Sequence, residues 1–229
     1  MNAKFVRPLA AEFVGTALFV FLGVGSVVMH GGTPSVAAPL TIALAHGVAL
    51  AILVSATMSI SGGHLNPAVT LALFAARKVD AQTAGGYVAV QLAGAVLGAL
   101  LVRALLPAGL DVATNLGTPA ISVRIGVGQG LGIEALLTFC LMTAVLGTAV
   151  SPEAPKIGGF GIGLTVFVST LVAGSLTGAA LNPARAFGPA LVMGAWQSHM
   201  IYWIGPVGGA VGAAMLWKYV LLPKDPTAM

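Results

Sequence analysis

Residues 61–70 read SGGHLNPAVT, and residues 177–186 read TGAALNPARA. Each holds the same triplet, Asn66-Pro67-Ala68 and Asn182-Pro183-Ala184, just behind small, flexible residues. Asn-Pro is ordinarily a turn or helix-start signal, yet both copies lie in stretches oily enough for a membrane. A chain that enters a membrane and turns there must start a helix without water to satisfy the first backbone N–H groups. Asn is a preferred N-cap, its side-chain oxygen accepting from an N–H two or three residues on. Pro at the first helical position has no N–H to leave orphaned, and its φ is already helical. Ala is small enough for another helix end to pack against it.

The rest of the chain supplies the membrane. Of 229 residues, 58% are hydrophobic and 7% charged, where a soluble domain carries about 25% charged residues. So few charges cannot cover a water-facing surface, so the chain reads as an all-α integral membrane protein. Six stretches, near 8–29, 38–60, 82–106, 126–149, 157–177 and 199–222, are long enough to cross about 30 Å of hydrocarbon. The apolar stretches 66–76 and 182–193 open with the two triplets and are roughly half a span at 1.5 Å per residue. They read as re-entrant half-helices. Residues 107–124 form a loop-sized gap.

Charge and cysteine usage narrow the function classes. The ten Lys and Arg residues are scattered and form no basic stripe, which argues against a nucleic-acid partner. Cys140 stands alone in an apolar run, so no disulfide framework, metal site or cofactor is expected. Lys4 and Arg7 precede a long first segment with Glu12 inside it and no A-x-A-like end, which does not read as a cleavable signal. Six crossings put both termini on one side. Lys4, Arg7, Arg77, Lys78, Lys156, Lys218 and Lys224 fall on that side, against Arg103 and Arg124 on the other. That bias predicts cytoplasmic termini.

An internal repeat ties the triplets together. AEFVGTALF at 11–19 is similar to IEALLTFCL at 133–141, with Glu12 and Thr16 matching Glu134 and Thr138. Beyond each triplet comes a Gly-rich span of matched spacing, Tyr87, Gln91, Gly94 and Gly98 against Tyr202, Pro206, Gly209 and Ala213. The chain therefore reads as one channel domain, 1–229, made of repeats at about 8–106 and 126–222. Each holds three spans and a half-helix; three is odd, so the repeats are inverted, which puts a site near the midplane between them. Two capped starts would then meet end to end, with Gly62, Gly63 and Gly178 letting the loops bend. Each brings a partial positive charge and a free Asn NH₂. A narrow path past that junction would offer donors to a passing oxygen and repel cations. A lone triplet would read as an N-cap on a buried helix; two in equivalent places favour a pore for neutral hydroxylic solutes.

From about Leu9 to Leu222 the sequence resembles the aquaporins of the major intrinsic protein family, on SGGHLNPAVT, LNPARAFGPA and the two Glu-bearing first helices. The resemblance implies a bundle of six membrane helices and two half-helices, assembled as a homotetramer with one pore per subunit. It implies that Asn66 and Asn182 are the pore asparagines and Arg185 the arginine of an extracellular selectivity filter. The further filter positions carried over are His46, Thr170 and Ala179. The usual bacterial water channel has Phe at the first of these and His at the second. The resemblance therefore points to the bacterial water-channel branch with a filter closer to plant vacuolar members, some of which pass ammonia. Glycerol-conducting members carry Asp after the filter Arg and Lys four residues beyond, where this chain has Ala186 and Ala190. They also tend to have Pro-Leu in place of Tyr202-Trp203.

Each singled-out residue has a structural reading beside the functional one. Arg185 within a membrane is expected to face the interior, donating to the permeant oxygen, pairing with loop carbonyls, or both. His46 is read as a pore-lining donor rather than a satisfied core histidine, and as able to titrate near neutrality. His64 is expected to reach the cytoplasmic vestibule or to cap its loop. Glu12 and Glu134 are read as loop anchors accepting N–H donors rather than as a proton relay. Gly94, Gly98, Gly209 and Gly212 are expected at close helix crossings. Trp196, Trp203 and Trp217 fall near span ends, and His30 and His199 in exterior loops. Together these predict a passive inner (plasma) membrane channel for water, and for ammonia or other very small neutral solutes, with lipid around it. The rivals are a glycerol or small-polyol facilitator, an ion-coupled secondary transporter and a non-conducting scaffold.

Overall fold

The structure is a computed structural model that describes residues 3–31 and 35–222. Lys224 lies outside the described residues, as does the side chain of Lys4. Nine α-helices run along the described chain: α1 (Ala3–His30), α2 (Ala38–Ser61), α3 (Pro67–Ala75), α4 (Ala81–Leu105), α5 (Leu110–Ala113), α6 (Val127–Val145), α7 (Phe160–Thr177), α8 (Pro183–Met193) and α9 (Ile201–Leu216). No strand occurs among the described residues. A π-helical turn carries α6 on to Val150 and another carries α9 on to Leu221. Six of these helices are long and apolar enough to cross a membrane. The two half-helices α3 and α8 are 9 and 11 residues long.

Packing repeats between the first and second halves. In the first, α1 lies against α2 and α4; in the second, α6 lies against α7 and α9. The halves interlock through α2 on α7, and each half-helix packs on the other half's last long helix, α3 on α9 and α8 on α4. Backbone meets backbone where these helices cross. A Cβ on Gly94 would strike the carbonyl oxygen of Phe13, and one on Gly209 that of Ala135. Gly98 meets the carbonyl of Ala17 in the same way, but Gly212 has only the Phe139 ring at 3.8 Å, an ordinary contact. The close crossing expected at Gly212 is therefore absent. The tight contacts that α6 needs come instead from Gly205 and Gly209.

The polarity of the bundle is inverted relative to a soluble protein. Glu12, Thr16, Thr70, Gln91, Glu134, Thr138 and Thr177 are fully buried, while Leu18, Leu44, Ile52, Val168, Val172 and Ile204 face outward. That exterior suits lipid, and the interior polar groups must satisfy one another. The gap between α4 and α6 is not plain loop. It holds the short helix α5 and a turn at Asn115–Gly117, anchored by the wholly buried Leu116.

Candidate functional site

The two triplets come together at the centre of the bundle. Asn66 caps α3, its Oδ1 accepting from the backbone N–H of Ala68 at 2.8 Å. Asn182 caps α8, its Oδ1 accepting from the N–H of Ala184 at 2.9 Å and of Arg185 at 3.3 Å. Pro67 and Pro183 occupy the first helical positions, and Ala68 and Ala184 are fully buried where the helix ends meet. The amide groups not used for capping cross the junction. Asn66 Nδ2 donates to the carbonyl of Leu181 at 2.9 Å, and Asn182 Nδ2 donates to the carbonyl of Leu65 at 2.9 Å.

The loops entering each half-helix share one backbone plan. Gly62 and Gly178 end α2 and α7 with φ of 88° and 82°. Leu65 and Leu181 then adopt φ of 49° and 52°, a left-handed conformation that costs a branched residue roughly 1–3 kcal/mol. Two buried carboxylates hold them there. Glu12 accepts from Ser61 Oγ at 2.6 Å, from the N–H of His64 at 2.9 Å and of Leu65 at 2.7 Å, and from Gln91 Nε2 at 2.8 Å. Glu134 accepts from Thr177 Oγ1 at 2.7 Å and from the N–H of Ala180 at 3.0 Å and Leu181 at 2.9 Å. Tyr87 and Tyr202 close each loop, their hydroxyls donating to the carbonyls of Ser61 and Thr177, both at 2.8 Å. Ser61 and Thr177 escaped the sequence reading, although each stands five residues before its asparagine. That equal spacing was the available signal. Gln91 has no second-half counterpart, since Pro206 occupies its repeat position.

Two cavities lie on either side of this junction. One, of about 420 Å³, is lined by Leu50, Val54, Met58, His64, Asn66 and Lys78 among others. His64 also pairs its Nδ1 with Thr70 Oγ1 at 3.0 Å, so it both faces the cavity and braces its loop. The other, of about 520 Å³, brings together His46, Thr170 and Arg185, with His30 at its edge. Ala179 is not among its lining residues; the neighbouring Gly178 is. Along α2 the lining runs from one cavity to the other in steps of four residues, Ile42 and His46 and then Leu50, Val54, Met58 and Gly62.

The polar atoms at the second cavity are unevenly paired. Arg185 is 3% exposed; its Nη1 donates to the carbonyl of Gly117 at 2.8 Å, while Nε has no protein partner. His46 is 4% exposed, with Nδ1 at 2.9 Å from the carbonyl of Ile42. A carbonyl only accepts, so Nδ1 carries the hydrogen in this pair. Nε2 has no protein partner either. Thr170 Oγ1 spends its hydrogen on the carbonyl of Val166 at 2.8 Å. Elsewhere, His199 lies outside the six spans, as expected, but as part of an aromatic cluster with Trp196, Phe187 and Tyr202. Among the described residues, no group of His, Cys, Asp and Glu side chains could hold a metal ion.

Known proteins agree with this architecture. At TM-score 0.82, the fold is similar to the crystal structure of the aquaglyceroporin from Plasmodium falciparum, covering 94% of this chain and 96% of that one. At 24% identity this likeness speaks for the fold alone. In sequence the chain is 41% identical to Aquaporin TIP4-4 of Zea mays, over 99% of this chain and 94% of that protein. It is 38% identical to Aquaporin-4 of Mus musculus, over 96% of this chain and 68% of the relative. These relatives are plant and mammalian, and the expected bacterial branch draws no support from them. Residues 1–217 match the model of the major intrinsic protein family. With capped half-helices meeting inside six membrane-length helices, the chain is a multi-pass membrane protein that belongs to the major intrinsic protein family.

Proposed function

We propose that this chain is a passive channel for water, and for ammonia or other very small neutral solutes, conducting along the face that α2 turns to both cavities. The observation that carries this reading is that six residues at steps of four, from Ile42 to Gly62, line two cavities, one on each side of the paired asparagines. At 1.5 Å per residue those twenty positions cover about 30 Å, the thickness of a hydrocarbon core. A permeating molecule would pass in single file, orient its oxygen toward Asn66 and Asn182, and meet Arg185 near one mouth. The facing N-terminal ends of α3 and α8, together with the guanidinium, raise the potential there and oppose cations and protonated water. His46, Thr170, Ala179 and Arg185 form the filter on this reading. The four-donor and three-donor carboxylates Glu12 and Glu134 anchor the loops.

The reading extends to organisation and place. The chain is one channel domain of two inverted repeats, a homotetramer with one path per subunit, in the inner (plasma) membrane with cytoplasmic termini. The seven-to-two distribution of Lys and Arg supports that orientation. Ala186 and Ala190 support water over glycerol. Stopped-flow light scattering on purified protein in vesicles tests it, with water, ammonia and glycerol compared side by side. Water flux above empty vesicles, with glycerol at the empty-vesicle rate, is expected. Equal glycerol flux replaces the reading with a polyol facilitator, and saturable or ion-gradient-dependent flux replaces it with a secondary transporter. Absent permeability leaves a scaffold.

A further inference from the structure

The two re-entrant loops share a backbone plan but not their polar side chains. Two residues before Asn66 stands His64, and four after it stands Thr70; the same places around Asn182 hold Ala180 and Ala186. Gln91, with Pro206 at its repeat position, completes the difference. The three first-half side chains are buried and joined to one another. Gln91 Nε2 donates to Glu12 Oε2 at 2.8 Å and to Thr70 Oγ1 at 3.0 Å, and Thr70 Oγ1 lies 3.0 Å from His64 Nδ1. The second-half alanines instead pack with Ile201 and Tyr202 in an apolar cluster. Loop anchoring alone does not call for the extra groups, since Glu134 holds its loop without them.

This chain of bonds has a direction. Glu12 Oε2 accepts, so the Gln91 amide turns its NH₂ toward it, and the second hydrogen of that NH₂ goes to Thr70. Thr57, Thr138 and Thr170 each donate their hydroxyl hydrogen to the carbonyl four residues back. Thr70 does not; among the described residues its hydroxyl pairs only with Gln91 and His64. Its one hydrogen therefore goes to His64 Nδ1, because a buried hydroxyl left without an acceptor forfeits a bond. A ring that accepts at Nδ1 is neutral and carries its hydrogen at Nε2. That atom is open to the cavity of about 420 Å³ that His64 lines. Nε2 bonds to no protein group among the described residues and, unlike His46 Nε2, is not buried. Gly62 lines the same cavity and leaves the atom uncovered, since a Cβ there would sit 3.2 Å from it.

We infer that Gln91 and Thr70 are positioning residues that hold His64 in its Nε2–H tautomer, so that the cavity it lines presents a fixed, neutral donor to the lone pair of a passing solute. Glu12 heads the chain and so orients the Gln91 amide as well as anchoring its loop. The donor suits water or ammonia, each of which brings a lone pair. Ala180, Ala186 and Pro206 leave the second-half loop with no such device. The donor's part in conduction rests on the channel reading above, whereas the tautomer does not.

The test is nitrogen NMR on the full chain in vesicles, isotope-labelled at histidine, with His64→Asn identifying the His64 signals. Wild type is expected to show a bare Nδ1 and a protonated Nε2 whose hydrogen contacts water. Hydrogen on Nδ1, on both nitrogens, or out of contact with water overturns the inference without any variant. Thr70→Val removes the donor to Nδ1, and Gln91→Met frees the Thr70 oxygen to accept from Nδ1–H. Both should shift His64 toward its other tautomer, and Thr70→Ser should restore it. Water flux per channel in Thr70→Val should fall about two- to tenfold, the worth of one net hydrogen bond, and recover in Thr70→Ser. A lowered melting midpoint with an unmoved tautomer makes Thr70 and Gln91 loop braces and overturns their positioning role. A shifted tautomer with wild-type flux overturns the donor's part in conduction. Wild-type protein no more permeable than empty vesicles fails the channel reading itself and leaves the tautomer to be judged by its spectrum.

Discussion

Asn66 and Asn182 each donate to the carbonyl of the leucine that precedes the other, both at 2.9 Å, while their oxygens cap their own helices. Each amide thus does two jobs at once. It ends the polar debt of a helix start inside an apolar bundle and locks the opposite loop in register. Asn182→Ala removes a cap worth about 1 kcal/mol and a cross-junction bond worth about 1 kcal/mol. Asn182→Ser keeps a capping oxygen and loses the donor to Leu65. Thermal melts of purified protein should rank wild type above Asn182→Ser and Asn182→Ala lowest.

The carboxylates differ in how many donors they serve. Glu12 accepts from four groups and Glu134 from three. A Gln in either place keeps one acceptor oxygen and turns an NH₂ toward donors, leaving buried N–H groups unpaired at about 1–3 kcal/mol each. Both Gln variants should melt lower than wild type, Glu12→Gln further than Glu134→Gln. Equal melting points would refute the unequal load.

Glycines at helix crossings separate cleanly. Gly209→Ala drives a methyl into the Ala135 carbonyl, which backbone cannot yield cheaply, whereas Gly212→Ala meets a ring edge at 3.8 Å. Overpacking of the first kind costs about 1–3 kcal/mol or more. Expression and melting of the two variants should therefore diverge, with Gly212→Ala near wild type.

The filter proposal has a direct handle in size. His46→Phe paired with Thr170→His adds bulk at the two positions that line the Arg185 cavity together. Ammonia flux should fall relative to water flux. An unchanged ratio would remove these residues from the filter.

Outside the membrane, Asp80 caps α4, accepting from the Thr83 backbone N–H at 2.8 Å and its hydroxyl at 3.0 Å. Those bonds, the backbone one first, hold its carboxyl below the ordinary aspartate value of 3.8. A depressed folded value means the cap's support is present above the unfolded pKa and lost as pH falls through the folded one. Melting points followed from about pH 6 to pH 3 should drop for wild type and less for Asp80→Asn.

Much of the fold was legible because its signals are local. Span length, the Asn-Pro start and the repeat of Glu12 with Thr16 and Glu134 with Thr138 all lie along the chain, and the six spans and two half-helices follow within a few residues. Ser61 and Thr177 were missed because a small hydroxyl at a helix end has many ordinary reasons to be there. Gly117 carried no signal at all. Its place beside Arg185, 68 positions away, arises only when the turn after α5 folds over the ends of α7 and α8.

By itself, the sequence determined that this chain lives in a membrane, spans it six times and starts two short helices without water, because hydrophobic length and N-capping are properties of contiguous residues. The tertiary structure decided which polar groups find a partner and which do not. Ile42 fixes the His46 tautomer, and the pairing of Arg185 with Gly117 leaves Nε unspent. A hydrogen bond depends on distance and direction between groups far apart in the chain, and only packing brings them within reach.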